Sequence, residues 1–404
     1  MNVLILTQVL PYPPDSGPKI KTYNVIKYLS RRHRVTLASF VRGDQSEHVR
    51  QLQHYCQAVH TVQMDRNVVR DGLAMVRSLL TGQPWMMVRD DRKGMRAHID
   101  RLAAEQHFDV VHADQLNMGQ YAERVSGAFK VMDAHNALWL LYKRLWATMS
   151  SGPRKWLLNR DWRLLKSYEG RLVREFDAVL AVSSEDKVAL QEAAGQPVDD
   201  VAPLTVIPIA IDTDEVKVVD REAEPNHILH IGTMYWPPNI DAVNWFVREI
   251  YPLIRQQRPD AQFDVVGSRP PADLLSLNDT SQGINVTGYV EDPTPYQQRA
   301  AVMIVPLLAG GGMRVKILQS LAEGIPIVST ALGCEGIGVT DGEDILIADE
   351  PADFAAAVLR ALNDRALARQ LSHNGRRLAE TRYDYRRACV ALDQVYDRAV
   401  PTQS

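Results

Sequence analysis

Three adjacent glycines, Gly310 to Gly312, stand just ahead of Met313, Arg314 and Lys316 in the stretch VPLLAGGGMRVKILQSLAEGIPIVST. Bare backbone beside two cations suits an anion. Glycine lets a charged group approach peptide N–H donors, and the first amides of a helix have no intrahelical partner. The pattern places a strand over Ala301–Leu307, ended by Pro306 and the glycines, and a helix that begins near Gly312 or Met313. Arg314 and Lys316 then fall in the first turn, where the macrodipole disfavours cations unless an anion compensates. A tight glycine turn with a solvated helix face is the plainer alternative. The spacing fits neither the G-x-G-x-x-G nor the G-x-x-x-x-G-K-[ST] phosphate loop. Along the helix, Val315, Leu318, Leu321 and Ala322 share an arc expected to pack on a sheet, and Lys316, Gln319 and Glu323 share the opposite arc.

Four more places carry residues able to do chemistry. His135 in VMDAHNALW follows a strand-like run, where a lone histidine is either structural or aimed at a ligand. Gly17 in PPDSGPKIKTYN, with Ser16 and Lys19, lies in a strand-to-helix loop. Gly232 and Thr233 close another strand, and Val290 sits in the turn GYVED. Asp212-Thr213-Asp214 is a D-x-D, a pattern that can hold a divalent metal, but here it falls in an irregular connecting stretch, and no metal is expected.

These residues need elements to position them. Short β-branched runs alternate with helical patterns from end to end, the signature of parallel βαβ units. In the first half, strands are expected at Val3–Thr7, Arg34–Phe40, Val110–His112, Lys130–Asp133 and Ala178–Val182, with a helix over Lys19–Arg31. A second series has strands at Ile228–Gly232, Phe263–Gly267, Ile284–Thr287, Ala301–Pro306, Ile325–Ser329 and Asp344–Ile347, and a helix over 240–258. Between the two series, residues 207–226 turn polar and irregular, and the junction is placed there. The ending TRYDYRRACVALDQVYDRAV reads as one long amphipathic helix. The expected organisation is an α/β chain with a domain over 1–205, a second over 206–384, and the 385–404 helix returning to the first. Two such halves leave a cleft, and open α/β sheets bind ligands beyond the carboxyl ends of their strands.

Composition narrows the function classes. In 404 residues, 46% are hydrophobic and 24% charged, the mix of a protein that buries an ordinary core. A net charge of −3 argues against nucleic acid as partner. Cys56, Cys334 and Cys389 show neither paired nor metal-like spacing, which fits a reducing, cytoplasmic compartment. The opening MNVLILTQVL lacks a basic lead, and its apolar run is too short for a signal peptide or a membrane span. Neither half carries a dinucleotide fingerprint with its later acidic residue, so a dehydrogenase is not expected.

The order of these elements resembles the family-4 retaining glycosyltransferases, whose GT-B architecture pairs two Rossmann-like domains. VLILTQVLPYPPDSGPKIKTYNVIKYL, VMDAHNALW, TVIPIAIDTDEV, HILHIGTMYWPPNIDAVNWF, GYVED and GGGMRVKILQSLAEGIPIVST carry the resemblance across nearly the whole chain. It implies transfer of a sugar from a UDP- or GDP-linked donor to a glycan or lipid-linked glycan acceptor in cell-surface polysaccharide synthesis, with retention and without a metal or other cofactor. The donor is expected on the C-terminal half and the acceptor on the N-terminal half. By similarity, Arg314 and Lys316 hold the diphosphate, and the amides of Gly311, Gly312 and Met313 meet phosphate or sugar. Gly17 brings backbone near the donor phosphate, Val290 sits where backbone reads the nucleobase, and His135, oriented by Asp133, hydrogen-bonds sugar or acceptor. Gly232 and Thr233 occupy the place where many members have a phosphate-binding arginine, a role left here to Arg314.

Two positions depart from the family's E-x7-E pattern. Gly311 replaces the first glutamate and Gln319 the second, which grips the ribose. A neutral amide binds a hydroxyl more weakly than a carboxylate does. Glu323, one turn on, either compensates or is an ordinary solvated glutamate. These departures keep two alternatives open: a nucleotide-sugar epimerase or hydrolase of the same fold, and a non-catalytic binding subunit.

From Lys143 to Arg174, nine basic and two acidic residues are interleaved with Trp146, Trp156, Trp162 and Tyr168. Such a surface suits anionic lipid headgroups at the inner face of a membrane; the plainer reading is a helical hairpin with its tryptophans in the core.

Overall fold

The computed structural model describes residues 1–195, 203–221 and 226–400. Residues 222–225 of the expected junction and 401–404 of the terminal helix lie outside the described residues. The chain forms two compact units: Met1–Ala210 together with the segment from Tyr385 onward, and Ile211–Asp384.

The first unit is built on a seven-stranded parallel sheet: β1 (Asn2–Thr7), β2 (Arg34–Val41), β3 (Ala58–Gln63), β4 (Val110–Asp114), β5 (Phe129–Ala134), β6 (Ala178–Ala181) and β7 (Leu204–Val206), in the order β3-β2-β1-β4-β5-β6-β7. A parallel sheet covered on both faces needs continuous apolar strands, and β1, NVLILT, meets that need. Alternate side chains enter different cores. Leu4 and Leu6 join Met95, Ile99 and Tyr121 on one face. Val3 and Ile5 join Val25, Ile26, Leu392 and Tyr396 on the other. Because β7 belongs to this sheet and residues up to Ala210 cluster with it, the first unit reaches five residues past the expected boundary.

The second unit repeats the strand order with no sequence repeat to announce it. Its sheet holds β8 (His227–Ile231), β9 (Gln262–Val266), β10 (Ile284–Gly288), β11 (Ala300–Val305), β12 (Ile327–Ser329) and β13 (Leu346–Ile347), ordered β10-β9-β8-β11-β12-β13 and parallel throughout. In each sheet the winding direction reverses after the third strand, between β1 and β4 and between β8 and β11. Those two points, at the carboxyl ends, are where α/β sheets take ligands.

Two expected helices are broken. The 240–258 helix opens into a π turn at Phe246–Ile250 before resuming at Tyr251–Gln257. Pro252 supplies no N–H to the ladder there, so the turn ahead of it widens. The terminal helix is interrupted at Asp384, which is extended and accepts hydrogen bonds from Thr213 N (3.2 Å) and Thr213 Oγ1 (2.7 Å). Helices Tyr385–Ala388 and Ala391–Asp397 follow.

Candidate active site

In the second unit, the loop after β11 carries the glycines. Gly310 (φ 126°) and Gly312 (φ 77°) adopt backbone that other residues rarely tolerate. The helix that follows is Val315–Glu323, with Arg314 in extended conformation as its N-cap, so it starts two to three residues later than the spacing implies. The delay has a local cause. Arg314 folds back over the loop and donates from Nη1 to the carbonyls of Gly311 and Gly312, the latter at 2.9 Å. With those carbonyls turned to Arg314, the trans peptides turn the N–H groups of Gly312 and Met313 the other way.

Lys316, partly buried in the first turn, donates from Nζ to Asn239 Oδ1 at 3.2 Å. Asn239 in turn donates from Nδ2 to Thr233 O at 3.0 Å, tying the loop after β8 to the helix after β11. Burial, and then the Arg314 guanidinium, bring the Lys316 ammonium down to about 7. This cation has a second cation beside it and a neutral amide as partner, and among the described residues no anion pairs with it to stabilise its charge. Beneath it lies His230, fully buried, donating from Nδ1 to Ile304 O at 3.0 Å. Burial and the charge of Lys316 hold this imidazole well below its ordinary pKa, hence neutral.

The neighbouring strand ends are stripped of side chains. Gly232 N donates to Val266 O (3.0 Å) and Gly267 N to Gly288 O (3.0 Å), so three glycines line up across β8, β9 and β10. A Cβ on Gly267 would lie 1.7 Å from Gly232 O; one on Gly232 would lie 3.0 Å from Lys316 Nζ. Val290 lies two residues beyond Gly288 at this same sheet end, partly buried beside exposed Tyr289. Asn239, Gly267 and His230 are missed by the sequence reading, although a glycine closing the apolar run QFDVVG was a usable signal.

Glu323 is no solvated glutamate: it is buried, and burial pushes its carboxyl up to about 7 against the hydrogen bonds from Gln319 and Gln297. Gln319, itself exposed, donates from Nε2 to Glu323 Oε1 at 3.0 Å. The helix is therefore sunk into the unit on most sides, with Ile317, Leu318, Ser320, Leu321 and Ala322 buried as well. The D-x-D forms a turn in which Asp214 N donates to Asp212 Oδ1 at 3.0 Å.

In the first unit, His135 follows β5 and donates from Nε2 to Asp114 Oδ1 at 2.8 Å. Asp114, at the end of β4, orients the ring, not the expected Asp133. Thr22 Oγ1 donates to the same oxygen at 2.8 Å. Asp133 is engaged elsewhere, by the buried Lys21 ammonium and by His112 Nε2 at 3.3 Å. Burial would raise the Asp133 carboxyl, but Lys21 and the His112 hydrogen bond hold it well below the usual carboxylate range. Ligand atoms of Asp114, Asp133 and His135 lie within 4.8 Å of one another, a spacing a metal ion accepts, but Lys21 already supplies the cation there. A carboxylate takes a proton only from N–H, so Nε2 carries one; Nδ1 of His135 has no partner among the described residues. The loop behind the ring is pinned by Asp186, accepting from Ala137 N (2.8 Å), and by Glu169, accepting from Leu138 N (2.8 Å) and Trp139 N (2.9 Å). Lys21 and Asp114 escape sequence reasoning because nothing local marks a lysine in KIKTYN as buried.

Gly17 opens the helix Gly17–Leu29 after β1, and Lys19 pairs with Asp15 at 3.0 Å. A cavity of about 330 Å³ lies at the carboxyl ends of β1 and β2, lined by Gln8, Tyr12, Lys19 and His48 among others.

Two parallel sheets of one winding order, each wrapped by helices, are the Rossmann-like pair of a GT-B fold. Comparison with known families agrees: residues 17–215 match the model described as Glycosyltransferase Family 4, and residues 225–364 the model described as Glycosyl transferases group 1. The chain belongs to this family-4, group-1 class of glycosyltransferases. A curated relative, an uncharacterized 44.6 kDa protein in the cps region of Klebsiella pneumoniae, is 19% identical and aligns over 97% of this chain and 98% of its own. The crystal structure of Anabaena Alr3699/HepE in complex with UDP has a TM-score of 0.68 at 14% identity, covering 98% of this chain and 100% of that one. Sucrose-phosphate synthase from Thermosynechococcus elongatus has a TM-score of 0.69 at 16% identity, covering 98% and 99%. These structures share the fold. Among the described residues, no helix is long and apolar enough to cross a membrane.

Proposed function

We propose that this chain is a retaining, metal-independent glycosyltransferase that moves a sugar from a UDP- or GDP-linked donor to a glycan or lipid-linked glycan acceptor in cell-surface polysaccharide synthesis. One observation carries the reading: Lys316, its ammonium brought down to about 7, sits against Gly232 and beside Arg314, an arrangement that a diphosphate would neutralise. Arg314 and Lys316 would stabilise the charge of the departing nucleoside diphosphate, an electrostatic contribution commonly worth several kcal/mol. Gly232, Gly267 and the Gly310–Gly312 loop leave room for phosphate and sugar against backbone, and Val290 stands at the base. The UDP bound to the Anabaena neighbour supports the donor class, and the Klebsiella relative's place in a cps region supports the polysaccharide role. His135, with Nδ1 as acceptor, would take a hydrogen bond from a sugar hydroxyl. The acceptor is assigned to the first unit, and contact with an anionic membrane on the inner face is part of the proposal.

The test is thermal shift with nucleoside diphosphates in the presence of a chelator. Ligand at a hundred times its Kd stabilises by about 2.7 kcal/mol. UDP or GDP is expected to stabilise the wild type and not Arg314→Ala. An equal response in both would refute the phosphate assignment.

A further inference from the structure

The tryptophans of the 143–174 stretch are mostly packed. Trp139, Trp146 and Trp162 lie ring against ring at 6.4 Å, with Lys143, Lys155 and Lys166 over their faces, and only Trp156 is exposed, at 61%. The outward apolar surface is elsewhere, on the helix Val68–Thr81. Val68, Val69, Leu73, Val76, Leu79 and Leu80 are 46% to 88% exposed. At about 100° per residue these six, with Gly72, fill one unbroken arc of roughly 140°. Arg70 and Arg77, both exposed, follow at the edge of the arc, Arg77 with its Nη1 3.7 Å from Asp91 Oδ2 and Arg70 beside it. The face turned to the protein is small and polar instead. Ser78 is fully buried, donating to Gln83 O at 2.7 Å and accepting from Arg160 Nη1 at 3.1 Å, and Asp71 O accepts from Trp85 Nε1 at 3.3 Å. This helix is thus inverted: it is held by hydrogen bonds and presents its hydrophobic side outward.

We propose that the helix Val68–Thr81 lies in the surface of an anionic lipid bilayer, its valines and leucines in the headgroup–acyl boundary and Arg70 and Arg77 reaching back to lipid phosphates. The cations at the rim select this occupant. A second copy docked antiparallel, stripe to stripe, about a two-fold axis running across the helix would set its arginines on the same side as their equivalents, whereas anionic headgroups complement them. The surface continues onto the helix Pro153–Glu175, where Trp156 stands four residues before Arg160, on the face that reaches Ser78. The inference rests on the proposed membrane contact and moves its apolar anchor to a different helix.

The experiment is sedimentation of the full chain with vesicles of phosphatidylcholine, alone and mixed with phosphatidylglycerol. The mixed vesicles should bind it, the neutral ones far less. Val76→Glu with Leu80→Glu should cut the bound fraction by about tenfold or more at unchanged melting temperature, since both side chains are exposed. Arg70→Ala with Arg77→Ala should lose most of the dependence on phosphatidylglycerol. Trp156→Ala should cost less than the helix pair. Overturning results are absence of binding to either vesicle, loss with Trp156→Ala but not with the helix pair, or a dimer by light scattering that Val76→Glu breaks. UDP stabilisation of the same variants is read in parallel and should not change, so failure here leaves the transferase reading separately tested.

Discussion

At the carboxyl end of the first sheet, a lysine is buried against a carboxylate: Lys21 pairs with Asp133, which also takes His112, while Asp114 holds Thr22 and His135. At the same end of the second sheet, Lys316 meets a neutral amide and the charge of a second cation, among glycines that leave the backbone bare. One unit settles its charges internally and leaves one imidazole nitrogen open. The other leaves a cation in need of an anion. Equal strand order does not produce equal chemistry: at one switch point the buried lysine has its carboxylate, and at the other it has a neutral amide.

The comparison breaks most visibly at His135. His135→Ala should lower kcat by about 10² to 10³, the usual cost of removing one hydrogen-bonding group from a reacting centre, with the UDP-induced thermal shift retained. Loss of UDP stabilisation in that variant would put the donor on the wrong unit. Gly267→Ala should cost about 3 kcal/mol in denaturant unfolding, because its Cβ has 1.7 Å to Gly232 O and backbone must move.

A gentler probe is pH. A free-state ammonium that titrates near 7 must take up a proton to hold an anion at higher pH. UDP affinity should therefore fall with rising pH above about 7, by at most tenfold per unit, with net proton uptake in calorimetry. Lys316→Arg should flatten the profile, whereas a slope unchanged in that variant would assign it to another group. Smallest is Glu323, whose carboxyl is raised to about 7 in the folded chain. Its contribution to stability is present below the ordinary glutamate range and is lost as pH rises through 7. Glu323→Gln should remove that decline from the denaturation midpoint while leaving turnover nearly unchanged.

Much of this was legible in the residues. The βαβ alternation, the glycine loop with its two cations and the histidine after a strand stand out because each rests on local pattern: period, missing Cβ, neighbouring charge. The broken helices at Pro252 and Asp384 were half legible. Proline announces itself, but the Asp384 break depends on Thr213, far away in the chain. The inverted helix Val68–Thr81 shows a limit of another kind, since an amphipathic pattern states that two faces differ and not which one faces the core.

What the sequence by itself determined is the fold class, the strand series apart from β3 and β7, and the glycine loop with its two cations, all set within a few residues of one another. The tertiary structure alone decided that Asp114 and not Asp133 orients His135, that Glu323 is buried beneath Gln319, and that Asn239 holds Lys316. The reason is physical: parallel strands distant in sequence end side by side, and burial and the charge beside a group are properties of that meeting rather than of any segment.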